Sequence, residues 1–173
     1  KLNWSHISLC LYNPQDDSLK LLDFSQPGLE NKAHKRGVEE KFNRIIANSG
    51  NGLTGWALRQ SRPIRCGDVK SDPHYVETYP GIRSGLYVPI KLGDRMIGVI
   101  EIENEQPDAF SEADERLVVT LANQAASAFE NARLFEETRQ RVRELEMLYQ
   151  SGLALSQLLN PREIGQRILD LLE

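Results

Sequence analysis

The chain has 173 residues, 40% of them hydrophobic and 27% charged, with a formal net charge of -4. This is ordinary globular composition, which excludes collagen-like, low-complexity and disulfide-stapled chains and leaves room for one domain with an extension. The acidic balance, with a pI near 5.5, supplies no basic field for a phosphate backbone, and no apolar run is long enough to cross a membrane, so neither nucleic acid nor membrane is an expected partner.

Trp4 to Tyr12 alternates, with Ile7, Leu9 and Leu11 on one face and His6, Ser8 and Cys10 on the other, which predicts a strand. Asn13-Pro14-Gln15-Asp16-Asp17 is turn chemistry, and Leu19 to Phe24 is the returning strand. Residues 26–41 are polar and broken by Pro27, Gly28 and Gly37, so a loop is expected, followed by a short helix carrying Phe42, Ile45 and Ile46. Leu53 to Gln60 predicts an apolar-faced helix and Ile64 to Val69 a third strand, and Ser71-Asp72-Pro73 is a turn or the start of a one-turn helix, with Pro73 suited to the first helical position. Leu86, Val88, Ile90 and Leu92 alternate as a fourth strand, and Gly93-Asp94 leads into a fifth over Met96 to Glu103, a hairpin signal.

Ser111 is a good N-cap, with Asp114 three residues on as an acidic capping box and Glu112 and Glu115 at the positive end of the helix dipole. No Pro or Gly follows until Gly152, so one helix of roughly 40 residues is expected. Val118, Leu121, Ala125, Ala128, Ala132 and Phe135 recur at alternating steps of three and four along it, and Thr138, Val142, Leu145 and Tyr149 continue the pattern after a local phase slip, with Glu, Arg and Gln on the other faces. This seam predicts a homodimer. Asn160-Pro161-Arg162-Glu163 is a second helix start, after which Ile164, Ile168, Leu171 and Leu172 form an apolar stripe expected to dock on a vacant sheet face or a partner chain. The opening at Lys1, almost at once in a strand pattern, is expected of a fragment of a longer protein.

The layout is α+β: an antiparallel central sheet of five to six strands with helices on its faces, followed by a long C-terminal helix. It resembles the GAF domain family. The resemblance lies in Gly52-Leu53-Thr54-Gly55-Trp56-Ala57 ahead of Pro63-Ile64, in Asp68 to Tyr75, in Ser84-Gly85-Leu86-Tyr87-Val88-Pro89-Ile90, in Ile97-Gly98-Val99-Ile100, and in Phe110-Ser111-Glu112-Ala113-Asp114-Glu115. It covers roughly residues 4 to 130. The division expected is a sensor domain over 1–130, a helical linker or coiled coil over 131–150, and the first helix of a second such domain over 151–173. The resemblance implies a cytoplasmic regulatory module in which the sheet walls a small-molecule pocket, capped by the segments between the second and fourth strands.

Family members that bind cyclic nucleotides carry Asn-Lys and then Phe, three residues and Asp-Glu. Here Phe110, Asp114 and Glu115 match, but Asn104 is followed by Glu105. Losing that lysine disfavours the cyclic-nucleotide reading, and Phe110 sealing the core with Asp114 capping the helix is the simpler expectation. Cys10 and Cys66 fit no pigment-attachment motif or reductase cysteine pattern of the family, and too few cysteines are present for a disulfide framework. His6, His34 and His74 lie apart and are expected at the surface or hydrogen-bonded, with no metal. Glu101, Glu103 and Glu105 alternate and are expected on a solvated strand face. Pocket candidates are Trp56, Cys66, Tyr75, Tyr79, Ser84 and Leu86, because aromatic rings give apolar walls with a polar tip. The function expected is a non-catalytic sensor and dimerisation module with no catalytic residues and an unidentified ligand, the alternatives being a thiol-dependent reductase of the same fold or a dimerisation module with a collapsed pocket.

Overall fold

Turn chemistry sets the sheet. In this computed structural model, which describes residues 4–27, 37, 40, 42–43, 52–158 and 161–171, strands β1 (His6–Asn13) and β2 (Ser18–Ser25) form the first hairpin. Its turn is held by Asn13 Oδ1, which accepts from the Gln15 N–H at 3.1 Å, and by Asp16 Oδ1, which accepts from the Ser18 hydroxyl at 2.6 Å. Helix α1 (Gly52–Gln60) precedes the short β3 (Ile64–Cys66). Strands β4 (Ser84–Leu92) and β5 (Arg95–Asn104) form the second hairpin across Gly93-Asp94. All pairs are antiparallel, in the order β2-β1-β5-β4-β3, so β5 is central and pairs with β1 from the far end of the domain.

Gly98 makes that closure possible. It sits opposite Leu11, and a Cβ there would overlap the Cys10 carbonyl oxygen, so only glycine lets the two backbones meet at this point of the ladder.

Cross-strand register sorts the side chains into two faces. One face carries His6, Ser8 and Cys10 on β1, Val99, Glu101 and Glu103 on β5, Tyr87 on β4 and Phe24 on β2. It packs under α1, Phe42, Val69, Tyr79 and Ile82. The opposite face carries Leu86, Val88, Ile90 and Ile102, buried with Val118, Ala122 and Ala126 of helix α2 (Glu112–Leu158). Arg65 ties the start of α2 to β3 through Glu115 at 3.2 Å. Further out on that face Ile7, Leu9 and Leu11 are half-buried, and Leu22 is exposed.

The α2 start matches its sequence. Asp114 Oδ2 accepts from the Ser111 N–H at 2.8 Å and its hydroxyl at 2.6 Å, while Ser111 Oγ accepts from the Asp114 N–H at 3.3 Å. Phe110 is buried, as expected.

Several details differ from expectation. β3 stops at Cys66, and Asp68 instead caps a single 3-10 turn, Val69–Ser71, which Arg83 pins by bonding Asp68 Oδ2 at 2.9 Å. Of the two outcomes expected at Ser71-Asp72-Pro73 the structure has the turn, and residues 72–79 are turns and irregular chain held by Asp72. Helix α2 runs through Gly152 to Leu158, 47 residues in all, because an exposed glycine costs a helix only about 1 kcal/mol. Helix α3 (Pro161–Asp170) begins on the proline, as read. Phe42 and Asn43 are helical, and Asn43 Oδ1 accepts from the Leu21 N–H at 2.9 Å. The loop over 28–36, Ile45, Ile46, His34, the cap at Asn160 and Leu172 lie outside the described residues.

The chain divides into two compact units, Lys1–Ala128 and Phe129–Glu173. In the second, Phe135, Leu145, Leu148 and Tyr149 are each at least 65% exposed, so its apolar side chains have no cover within the unit among the described residues.

Candidate functional site

The central strand holds two carboxyls where water does not reach. Glu101 and Glu103 are i and i+2 on β5, hence on one face, and are 2% and 1% exposed. This corrects the expectation of a solvated strand face: only Glu105, beyond the strand end, is exposed. The face they share is covered by α1, Phe42, Val69, Tyr79 and Ile82, which closes it to water.

Each carboxyl has one built partner. Thr54, from α1, donates to Glu101 Oε2 at 2.7 Å, and Tyr87, from β4, donates to Glu103 Oε1 at 2.7 Å. Gly85 explains the second bond. It is the cross-strand neighbour of Glu103, and a Cβ on it would lie 2.6 Å from the Tyr87 ring and hydroxyl, so the missing side chain is the space through which Tyr87 leans to reach the acid. Tyr87 is itself 1% exposed.

Burial dominates the electrostatics. It pushes the Glu101 carboxyl up to about 7, against the hydrogen bond from Thr54 that favours its charge. Burial, then the neighbouring charge of Glu101, holds Glu103 well above the ordinary carboxyl range, so Glu103 keeps a proton at neutral pH.

Opposite this pair lie polar atoms with no partner. His6 is the cross-strand neighbour of Glu103, is 1% exposed, and has neither ring nitrogen hydrogen-bonded. This corrects the expectation of a surface or hydrogen-bonded histidine. Burial lowers His6 to about 3, so it is neutral. Tyr79 packs on it with ring centroids 3.6 Å apart. The Tyr75 and Tyr79 hydroxyls and Glu103 Oε2 are buried without a partner too. Burial raises both phenols, and the charges of Glu101 and Glu103 raise them further, which places both tyrosines within electrostatic reach of the pair. Native interiors leave few such atoms unsatisfied, and each asks for a reason.

The remaining candidates divide. Trp56 is half-buried and stacks on His74 at 4.0 Å, with the Arg59 guanidinium 5.5 Å from its ring. Cys66 and Tyr75 pack against the chamber-side core. Leu86 points to the α2 side of the sheet, opposite Tyr87, and so lines no chamber. Ser84 shares that side and is spent on structure: its hydroxyl donates to the Gln106 carbonyl at 2.7 Å and accepts from the Ala109 N–H at 3.4 Å. Among the described residues no cluster of three His, Cys, Asp or Glu side chains is arranged to hold a metal ion, and no helix is long and apolar enough to cross a membrane.

A five-stranded antiparallel sheet, with irregular segments over one face and a long helix starting on the other, defines the class of α+β domain. The comparisons name it: a GAF domain family model matches residues 1–130, and the chain belongs to that family. Protein YtsP of Bacillus subtilis (strain 168) is 26% identical over 73 residues, which is 42% of this chain and 45% of YtsP, so the match spans less than half of that protein. Among solved structures, the type II free methionine-R-sulfoxide reductase from Thermoplasma acidophilum superposes with a TM-score of 0.58 at 26% identity, over 72% of this chain and 77% of that one. The GAF domain from an Acinetobacter phosphoenolpyruvate-protein phosphotransferase superposes with a TM-score of 0.61 at 20% identity, over 78% of this chain and 75% of that one.

Proposed function

We propose that this GAF domain is a non-catalytic small-molecule sensor and dimerisation module of a cytoplasmic signalling protein, with ligand state passed along α2. The observation that carries the reading is the group of buried polar atoms left without partners on the α1 side of the sheet. Leaving His6, Tyr75, Tyr79 and Glu103 buried with unmet hydrogen bonds costs about 1–3 kcal/mol for each group, a cost that a small molecule supplying those bonds would remove.

The likeness to a free methionine-R-sulfoxide reductase supports a second reading, a thiol-dependent reductase. That chemistry uses a thiolate that becomes a sulfenic acid and a second thiol that closes a disulfide with it. Cys10 on β1 and Cys66 on β3 are separated by β5 and β4, about 14 Å at sheet spacing, whereas a disulfide needs Cα atoms within about 7 Å. Burial also raises both thiols, which keeps them protonated at neutral pH. These points favour the sensor. A thioredoxin-coupled assay with free methionine sulfoxide tests the choice: the sensor reading expects no turnover, and turnover that disappears in the Cys10→Ser, Cys66→Ser protein would establish the reductase.

For the partner we propose a second copy of this chain, paired through α2. Phe135, Val142 and Tyr149 are spaced by sevens and are 69%, 48% and 66% exposed, with Leu145 at 65% between them. Leu121, Ala125, Ala128 and Ala132 would extend the seam toward the sheet. Val118 is fully buried in the domain and has no part in it.

A further inference from the structure

We propose that α2 pairs with the same helix of a second copy in parallel and in register, as a two-stranded coiled coil over residues 131–153, with Arg141 on each flank set against the partner's Glu146. This rests on the dimer reading above and gives that interface its direction and register.

The distribution of ion pairs around the helix leads there. With Phe135, Val142 and Tyr149 at heptad position a, position d takes Asn131, Thr138, Leu145 and Gly152, and all of these are exposed. Arg133 pairs with Glu130 at 2.7 Å and with Glu137, Arg143 pairs with Glu136 at 3.0 Å, and Gln140 donates to Glu144 at 3.1 Å. These residues occupy positions b, c and f alone, the side that a coiled coil turns to solvent. Beside the seam the charges stand differently. Arg139 and Glu146 at e and Arg141 at g are exposed and have no ion-pair partner among the described residues. The helix meets its outer charges within itself and leaves those flanking the seam to another chain.

Those flanks also set the direction. In a parallel pair, position g meets position e of the partner's next heptad. Arg141 then faces the partner's Glu146, and Leu148, 69% exposed, faces the partner's Leu153, itself 41% exposed. Leu134 lies against the methylene stem of the partner's Arg139. Within the seam Asn131 meets its own copy, so the two amides hydrogen-bond across the axis and fix the register. Antiparallel helices stack a on d instead. Centred between Thr138 and Val142, that pairing sets Asn131 against the partner's Tyr149, and Arg139 and Arg141 each against the same arginine of the other chain. A shift of one heptad pairs Arg139 with the partner's Glu146 but sets Arg141 against the partner's Leu148 and Thr138 against the partner's Tyr149. The parallel register alone matches opposite charges, apolar flanks and polar seam residues together.

The experiment is disulfide trapping in the full chain, with analytical ultracentrifugation beside it. Thr138→Cys and Leu145→Cys are made one at a time in the Cys10→Ser, Cys66→Ser protein and equilibrated in a glutathione redox buffer. Should that background not fold, the parent chain carries the same substitutions and peptide mapping assigns the disulfide. Both positions are d, so in the parallel register each thiol meets its own copy, whereas an antiparallel pair of any register brings at most one of them together. The expected result is a dimer locked by its disulfide in both variants. Arg141→Glu is expected to weaken the dimer by about tenfold at low salt, as two attractions become two repulsions, and Glu146→Arg in the same chain to restore it. A dimer in which one thiol or neither is locked would overturn the parallel register and leave the dimer reading standing, as would an Arg141→Glu protein that pairs as tightly as the parent. A monomer throughout would overturn both.

Discussion

Replacing Gly85 with alanine tests how the acid pair is built. The new Cβ would lie 2.6 Å from Tyr87 Cε2 and from its hydroxyl oxygen, and 2.7 Å from Cζ. These atoms belong to a rigid ring that is 1% exposed, so the ring must turn away and surrender its bond to Glu103. Overpacking of this kind costs about 1–3 kcal/mol, and a lost hydrogen bond to an ionisable buried group about 1.5–3 kcal/mol. The lower unfolded-state entropy of alanine returns about 0.4–1 kcal/mol. The net expectation is a loss of about 2–5 kcal/mol, and at about 4 °C per kcal/mol for a domain of this size the melting temperature falls by roughly 8–20 °C. Urea titration followed by circular dichroism gives the free energy directly. A second arm sharpens it: Tyr87→Phe should be costly in the parent and nearly free in the Gly85→Ala background, where the bond is already gone. A Gly85→Ala protein within 0.5 kcal/mol of the parent, or additive costs in the cycle, would refute the argument that Gly85 exists to admit Tyr87.

Three further outcomes follow from the same residues. The folded pKa of Glu103 lies above its ordinary value of 4.5, so the native state holds a proton that the unfolded chain releases; stability falls as pH rises from about 4.5 through neutral, by up to about 1.4 kcal/mol per unit. Thermal melts across that range should show the fall in the parent and not in Glu103→Gln, and a flat parent profile would contradict it. His6 has the opposite sign: lowered to about 3, it contributes stability that is lost as pH falls below about 6.5. His6→Phe keeps the stacking on Tyr79 and removes two unmet polar atoms, so it should stabilise the domain by about 1–3 kcal/mol; lower stability in the melt would contradict the reading that the His6 nitrogens go unmet. Phe135→Glu with Val142→Glu places charges in the proposed α2 seam, and light scattering should report a monomer where the parent is a dimer; an unchanged dimer would eliminate that seam.

The periodic parts of the fold were legible because local chemistry agrees with tertiary structure there. The two hairpins, the Ser111–Asp114 capping box and the Pro161 helix start each carry their signal within a few residues. β3 and the segment after Pro73 were not, since a three-residue strand and a turn held by Asp72 and Asp68 depend on distant partners such as Arg83. At the site, Tyr75, Tyr79 and Cys66 were found from their place in the chain, but the acids were missed. Alternation along β5 shows that Glu101 and Glu103 share a face and does not show that the face is closed. The signal that could have found them is topological: β5 pairs with β1 and β4, which makes it central, and His6-x-Ser8 pairs with Glu101-x-Glu103. Leu86 and Ser84 were misassigned for the complementary reason, because one residue of register decides which side of the sheet a side chain serves.

The central claim is that the Glu101–Glu103 chamber holds a small molecule without transforming it. Native mass spectrometry tests it most directly, on protein incubated with a small-molecule cell extract and desalted, beside Glu103→Gln treated alike. The account predicts one discrete low-mass adduct that is recovered chemically unchanged on denaturing the parent and is absent from the variant. The bare mass in both proteins, or an adduct that persists in the variant, would contradict it.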